Sequence, residues 1–146
     1  MTQTPTLRRL SVIRQRKQDR LREEAARLQG RVLRLEEQVD GAAVDLTEGR
    51  QQAAVNTAGR HAAMSAEAGT LRDFGALVSA IEADRQRLLR LRQTLEELRG
   101  AHAEAVEERT IHNRRLTRVR RQCENLATMI SEAELRAENM AEFHQD

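Results

Sequence analysis

Aromatic side chains are almost absent from this chain, which has two Phe and neither Tyr nor Trp among its 146 residues. With so little aromatic and β-branched bulk, a compact globular core cannot be filled, and burial has to run along a line instead. Proline occurs once, at position 5, so nothing after it interrupts a helix by removing a backbone donor. The single cysteine excludes an intramolecular disulfide and fits a reducing compartment. No apolar run approaches the roughly 18 residues that a membrane-spanning helix needs, so membrane insertion is not expected. The opening MTQTPTLRRLSVIRQRK has no apolar h-region, and a secretory signal is not expected either. Catalytic signatures are missing too. We find no glycine-rich phosphate loop, HExxH, CxxC pair or Ser/His/Asp spacing. The expectation is therefore a non-enzyme without cofactor or metal. His102 and His112 are ten apart and form no i, i+4 ligand pair, and Cys123 reads as a small packing residue.

What remains is the composition of long helices: charged residues make up 33% of the chain, and the usage favours Ala, Glu, Leu, Arg and Gln. From Phe74 to Met140 steps of three and four pass through Leu77, Ile81, Asp84, Leu88, Leu91, Leu95, Leu98, His102, Ala105, Arg109, His112, Leu116, Val119, Cys123, Leu126, Ile130, Ala133 and Ala137. Of these 20 positions 16 are apolar. That spacing is close to the 3.5-residue period that keeps one seam against a partner helix. A second heptad seam runs through Leu21, Ala25, Leu28, Val32, Leu35, Val39, Ala42 and Leu46, with Gly30 and Gly41 off it. Thr4-Pro5 reads as N-cap and N1 of this first helix, and Leu7, Leu10 and Ile13 give it an apolar start. Between Thr47 and Gly69 apolar content falls and Gly49, Gly59 and Gly69 accumulate, which predicts a frayed end and a turn. Thr70 to Asp73 then resembles a variant capping box.

These signals predict an all-α fold: one coiled-coil domain over 1–146, a two-helix antiparallel coiled-coil hairpin whose second helix is the longer. Helix one is expected over about 5–57, the turn over about 58–69 and helix two over about 70–143. Folding about residue ~64 sets residue i opposite roughly 128 − i. Leu46 would then face the neighbourhood of Ile81, and Leu28 the Leu98–His102 region. Arg109 and His112 would face Arg16, Lys17, Gln18 and Asp19. Some 20 residues beyond about 122 would overhang, about 30 Å of helix. They carry Leu126, Met129, Ile130, Met140 and Phe143, an apolar stripe of the sort that marks a binding surface. Polar seam positions at His102, Arg109 and His112 would weaken the pairing locally while fixing its register.

The formal net charge is only +2, but it is unevenly placed. Residues 1–22 hold seven Arg/Lys against Asp19, residues 109–121 hold six Arg and no acid, and residues 122–146 hold six acids against Arg136. Arg114, Arg115, Arg118, Arg120 and Arg121 form the densest cluster. No aromatic residue interleaves it to stack bases, so a stable nucleic-acid complex is not the expected role.

The basic start Thr6-Leu7-Arg8-Arg9-Leu10-Ser11-Val12-Ile13-Arg14, the two-helix coiled coil and the finish Glu138-Asn139-Met140-Ala141-Glu142-Phe143 resemble the FliJ/YscO/HrpO family. Its members are the stalk proteins of type III secretion systems. The segment from Leu71 through Phe74, Val78 and Ile81 to Arg85 looks like the stretch just after the hairpin tip in that family. The resemblance implies a cytoplasmic stalk, peripheral to the inner membrane through the secretion apparatus. Such a protein inserts into a hexameric export ATPase, connects it to the export-gate membrane protein and binds export chaperones. Phe74, Val78, Ile81 and Arg85 would be export-gate contacts, although Ile81 and Arg85 replace the small residue and the His of the family pattern. The ATPase contacts expected from charge and overhang are Arg114, Arg115, Arg118, Arg121, Leu126, Ile130, Met140 and Phe143. The alternative reading is a generic coiled-coil escort that dimerises through the overhang, and behind it a basic helical nucleic-acid binder.

Overall fold

A computed structural model describes residues 3–66 and 71–145. Among the described residues the chain is entirely helical and forms two helices. Helix α1 spans Gln3–Ala66 and helix α2 spans Leu71–Gln145, 64 and 75 residues long. They pack antiparallel, and the second is the longer, as the two seams predict. Two compact units divide the pair, Met1–Arg31 with Ala105–Asp146, and Val32–Glu104.

In the Val32–Glu104 unit the core is a small apolar cluster. Ala42, Leu46 and Leu95 are buried, with Val39, Leu88, Leu91 and Leu98 packed around them. In the other unit the buried apolar residues are Ala105, Val119 and Leu126. Every position of the predicted α1 seam from Leu21 to Leu46 is buried or half-buried, as is the predicted α2 seam from Leu77 to Ala133 apart from Ile81. The off-seam Leu10 and Ile13 of the apolar start are exposed.

The first helix does not fray at 57. It continues to Ala66, and the expected turn over 58–69 is helix as far as 66. The remaining turn residues and Thr70 of the capping box lie outside the described residues. Two physical causes extend the helix. Alanines at 53, 54, 58, 62 and 63 favour it, offsetting the roughly 1 kcal/mol cost of Gly59. The hydroxyls that would compete with helix turn inward to it instead. Thr47 donates to the Ala43 carbonyl at 3.0 Å, Thr57 to Ala53 at 2.8 Å and Ser65 to His61 at 2.9 Å. The seam also continues through residues that are not apolar: Gly49, Ala53, Asn56 and Arg60 are all half-buried at three- and four-residue steps. Gly49 sits close to the partner helix: a Cβ on it would lie 2.8 Å from Leu91 Cδ1, so that leucine would have to shift to admit one.

A longer first helix moves the register. Arg60 pairs with Asp84 where folding at 64 would put residue 68 opposite it, and Arg14 meets Gln122 rather than residue 114. Leu46 accordingly packs among Leu88, Leu91 and Leu95 and not near Ile81. Arg109 meets Gln29, and His112 meets Leu21 and Glu24, not Arg16 to Asp19. The overhang shrinks with it. Arg8 still reaches Glu134, and only from Leu135 to His144 is every α2 residue exposed, half the expected length.

Gly30 has nothing within 4 Å of where a Cβ would stand. Gly30→Ala is expected to stabilise the chain by about 0.5–1 kcal/mol. Gly49→Ala is expected to gain less, since the leucine must yield, and Leu95→Ala to lose about 2–4 kcal/mol. Thermal unfolding followed by circular dichroism at 222 nm checks all three.

Candidate functional site

Among the described residues, the positions singled out by the sequence fall on three exposed surfaces, each lying where the seam stops or turns polar. The first lies at the start of α2. Leu71, Phe74, Val78, Ile81 and Arg85 succeed one another at steps of three and four, so they share one face. Leu77, Ala80 and Asp84 turn toward α1 and are half-buried, which rotates that face outward. Leu71 is 93% exposed, and Phe74, Val78 and Ile81 are each about half exposed. Phe74 and Ile81, expected on the seam, therefore sit on the surface. Behind this face the Arg60 guanidinium lies 2.8 Å from Asp84 Oδ2, both side chains three-quarters buried.

The second surface is cationic and belongs to the unit holding both chain ends. Arg14 Nη1 donates to Gln122 Oε1 at 2.8 Å, and the His112 ring Nε2 lies 3.1 Å from the Leu21 carbonyl oxygen. Between these two contacts the antiparallel pairing sets the two basic runs of the sequence side by side. Arg14, Arg16, Lys17 and Arg20 flank Arg114, Arg115, Arg118, Arg120 and Arg121, with Asp19 the sole acid among them. All five α2 arginines are exposed, and none makes an ion pair among the described residues. An open groove of about 850 Å³ runs along Arg114, Arg118 and Arg121, edged by Asn113, Thr117 and Asn125. A concentration of like charge at this density sets up a positive potential over the surface and attracts polyanionic or acidic partners.

Under the cationic surface the seam is polar. Gln18 and His112 are buried, His112 with 8% exposure and its Nε2 3.4 Å from a Glu24 carboxylate oxygen. Arg109 donates to Gln29 at 2.9 Å, and Arg31 stands 3.6 Å from Glu108. His102, Arg109 and His112 thus occupy the seam as their spacing predicts. Gln18 and the Arg60–Asp84 pair were not anticipated. Their signal was the three–four step carried through non-apolar residues.

The third surface is the tail of α2. Met140 is largely exposed and Phe143 81% exposed. Leu126 is not part of it: at 8% exposure it is packed inside the hairpin and is corrected from a contact candidate to a seam residue. Ile130 is half-buried against α1 for the same reason, the longer reach of the first helix. Among the described residues no three His, Cys, Asp or Glu side chains are grouped to hold a metal ion, and no helix is long and apolar enough to cross a membrane.

Set beside known proteins, the chain matches no family model, no curated protein and no solved structure.

The buried imidazole makes a specific expectation. His112→Leu replaces a polar seam residue by an apolar one of similar size, so stability is expected to hold or rise by about 1 kcal/mol. His112→Asp is expected to lose about 2 kcal/mol or more through an unpaired buried charge. Urea unfolding of both variants tests the pair.

Proposed function

We propose that this chain is a stalk and adaptor of a type III secretion export apparatus, not an enzyme. In that role it enters a hexameric export ATPase, links the ATPase to the export-gate membrane protein and offers a surface to export chaperones, working at the cytoplasmic side of the inner membrane. The observation that carries the reading is the unequal pair of arms. Among the described residues Leu135, Met140 and Phe143 are exposed beyond Glu134, whose carboxylate still pairs with Arg8 of α1. An unpartnered apolar stripe on a helix end is a surface waiting for another molecule. Arg114, Arg115, Arg118 and Arg121 lie on the same arm, about 20–30 Å before the tail, and would meet the ATPase together with it. The face of Phe74, Val78, Ile81 and Arg85 is a second uncovered apolar surface and is assigned to the export gate. The RRL start, the segment after the tip and the Met-x-x-Phe finish give this reading its family direction.

Truncation after Glu134 removes the tail and leaves every interhelical contact described above. It is expected to abolish co-purification with the export ATPase while α-helicity per residue stays unchanged. Full retention of the ATPase by the truncated chain would refute the proposed role of the tail. Phe74→Ala combined with Val78→Ala changes only exposed side chains, so melting temperature should move by under about 2 °C. Secretion of a reporter substrate is expected to stop in that double variant, and normal secretion counts against an export-gate contact there.

A further inference from the structure

The exposed face of α2 carries its charge in a particular order. Arg114, Arg121, Thr128, Leu135 and Glu142 are seven residues apart and form one line along a helix in a heptad-paired hairpin. Thr117, Glu124, Ser131 and Glu138 form the line on one side of it, and Arg118, Asn125, Glu132 and Asn139 the line on the other. All of these residues are exposed. Apart from Glu124, the face is therefore basic before Thr128 and acidic after it, with small polar residues between.

We infer that this face is a docking surface for a second copy of the same chain, the two α2 helices crossing antiparallel about a twofold axis at Thr128. An antiparallel partner turned about residue 128 sets residue i opposite 256 − i, an isologous pairing in which every contact occurs twice. Arg114 then meets Glu142 of the other copy, Arg118 meets Glu138, and Arg121 meets Leu135 between Glu132 and Glu138. Thr128 faces its own copy. The flanking lines exchange, the Thr117 line falling on the Arg118 line, as the twofold axis requires. Glu124 opposite Glu132 is the one like-charged match, and Arg121 lies within a turn of Glu124 on the same helix. Charge complementarity of the chain with itself selects a second copy over an acidic or a cationic stranger. An acidic partner would leave Glu138 and Glu142 repelled, and a cationic one would leave Arg114 and Arg118 repelled. The contact is long and thin, with Leu135 as its main apolar residue, so association is set by charge and falls with salt.

The face overlaps the surface that the export reading gives to the ATPase, but the inference does not rest on that reading and is tested on the full chain alone. Sedimentation equilibrium in about 50 mM and about 500 mM NaCl should show a dimer that weakens at least about tenfold in the higher salt. Arg114→Glu with Arg118→Glu, or Glu138→Arg with Glu142→Arg, should each weaken it at least about tenfold, because like charges then face each other twice. All four substitutions together restore opposite charges and should bring the dimer back to within about threefold of the parent. None of the four residues touches the seam, so helicity stays at the parent value. The axis is tested by oxidation in a Cys123→Ser background. Thr128→Cys should give a disulfide-linked dimer, and Asn113→Cys should not, its copy lying about 45 Å away. A monomer at every concentration in low salt overturns the inference. So does a dimer that the fourfold exchange fails to restore, or one that Asn113→Cys locks and Thr128→Cys does not.

Discussion

A single strip of interdigitated side chains, one residue deep, holds this molecule together. Each helix offers a line of positions at three- and four-residue steps, and each line has only the other helix to bury against. Among the described residues there is no second layer, which is why so few of them are buried and why neither Phe is among those. The strip tolerates polar members because their partners lie directly across it. His112 finds the Leu21 carbonyl, Arg109 finds Gln29, and Arg60 finds Asp84. Alanine and glycine at Ala42, Gly49 and Ala105 let the backbones approach, and leucines fill the space opposite. Everything outside the strip is free to serve other purposes, and the surfaces follow from that freedom.

The heptad step was legible almost residue by residue where it was written in Leu, Val and Ala. Both helices, their antiparallel sense and the longer second arm could be read from it. What could not be read was how far the first helix runs, because glycine, threonine and asparagine after Thr47 look like a turn when taken one at a time. In the helix each finds a local solution: threonines bond to the carbonyl four residues back, Gln52 donates to Asn56, and Gly49 makes room for Leu91. Fraying was inferred from composition where the spacing was still intact. A first helix ending near 57 shifts the register along the whole pair and doubles the overhang, and in that register Leu126 falls on the surface instead of the seam.

Charge was legible as runs but not as a surface. The two basic runs lie almost a hundred residues apart in the chain, and the hairpin sets them beside one another between the Arg14–Gln122 and His112–Leu21 contacts. The acidic finish likewise gains its meaning from geometry, since Glu138 and Glu142 lie on the same face of α2 as Arg114 and Arg118. A segment so strongly positive, made of arginines whose planar guanidinium groups suit carboxylates, faces outward while its own seam is satisfied internally. Export apparatus or not, the chain presents its chemistry as a surface and not as a cleft.

The hairpin topology has a kinetic corollary. Partners lie 24 positions apart along the chain at Arg60 and Asp84, but 126 apart at Arg8 and Glu134. Closing the longer loop first would cost roughly 1.5 kcal/mol more in chain entropy than closing the shorter one. Assembly therefore zips from the Arg60–Asp84 pairing outward, and the Arg8–Glu134 pairing is the last to be fastened and the first to come undone. Amide exchange along both arms would then fall off as a gradient, fastest at the ends where this protein also keeps its most exposed charge and its greasy tail.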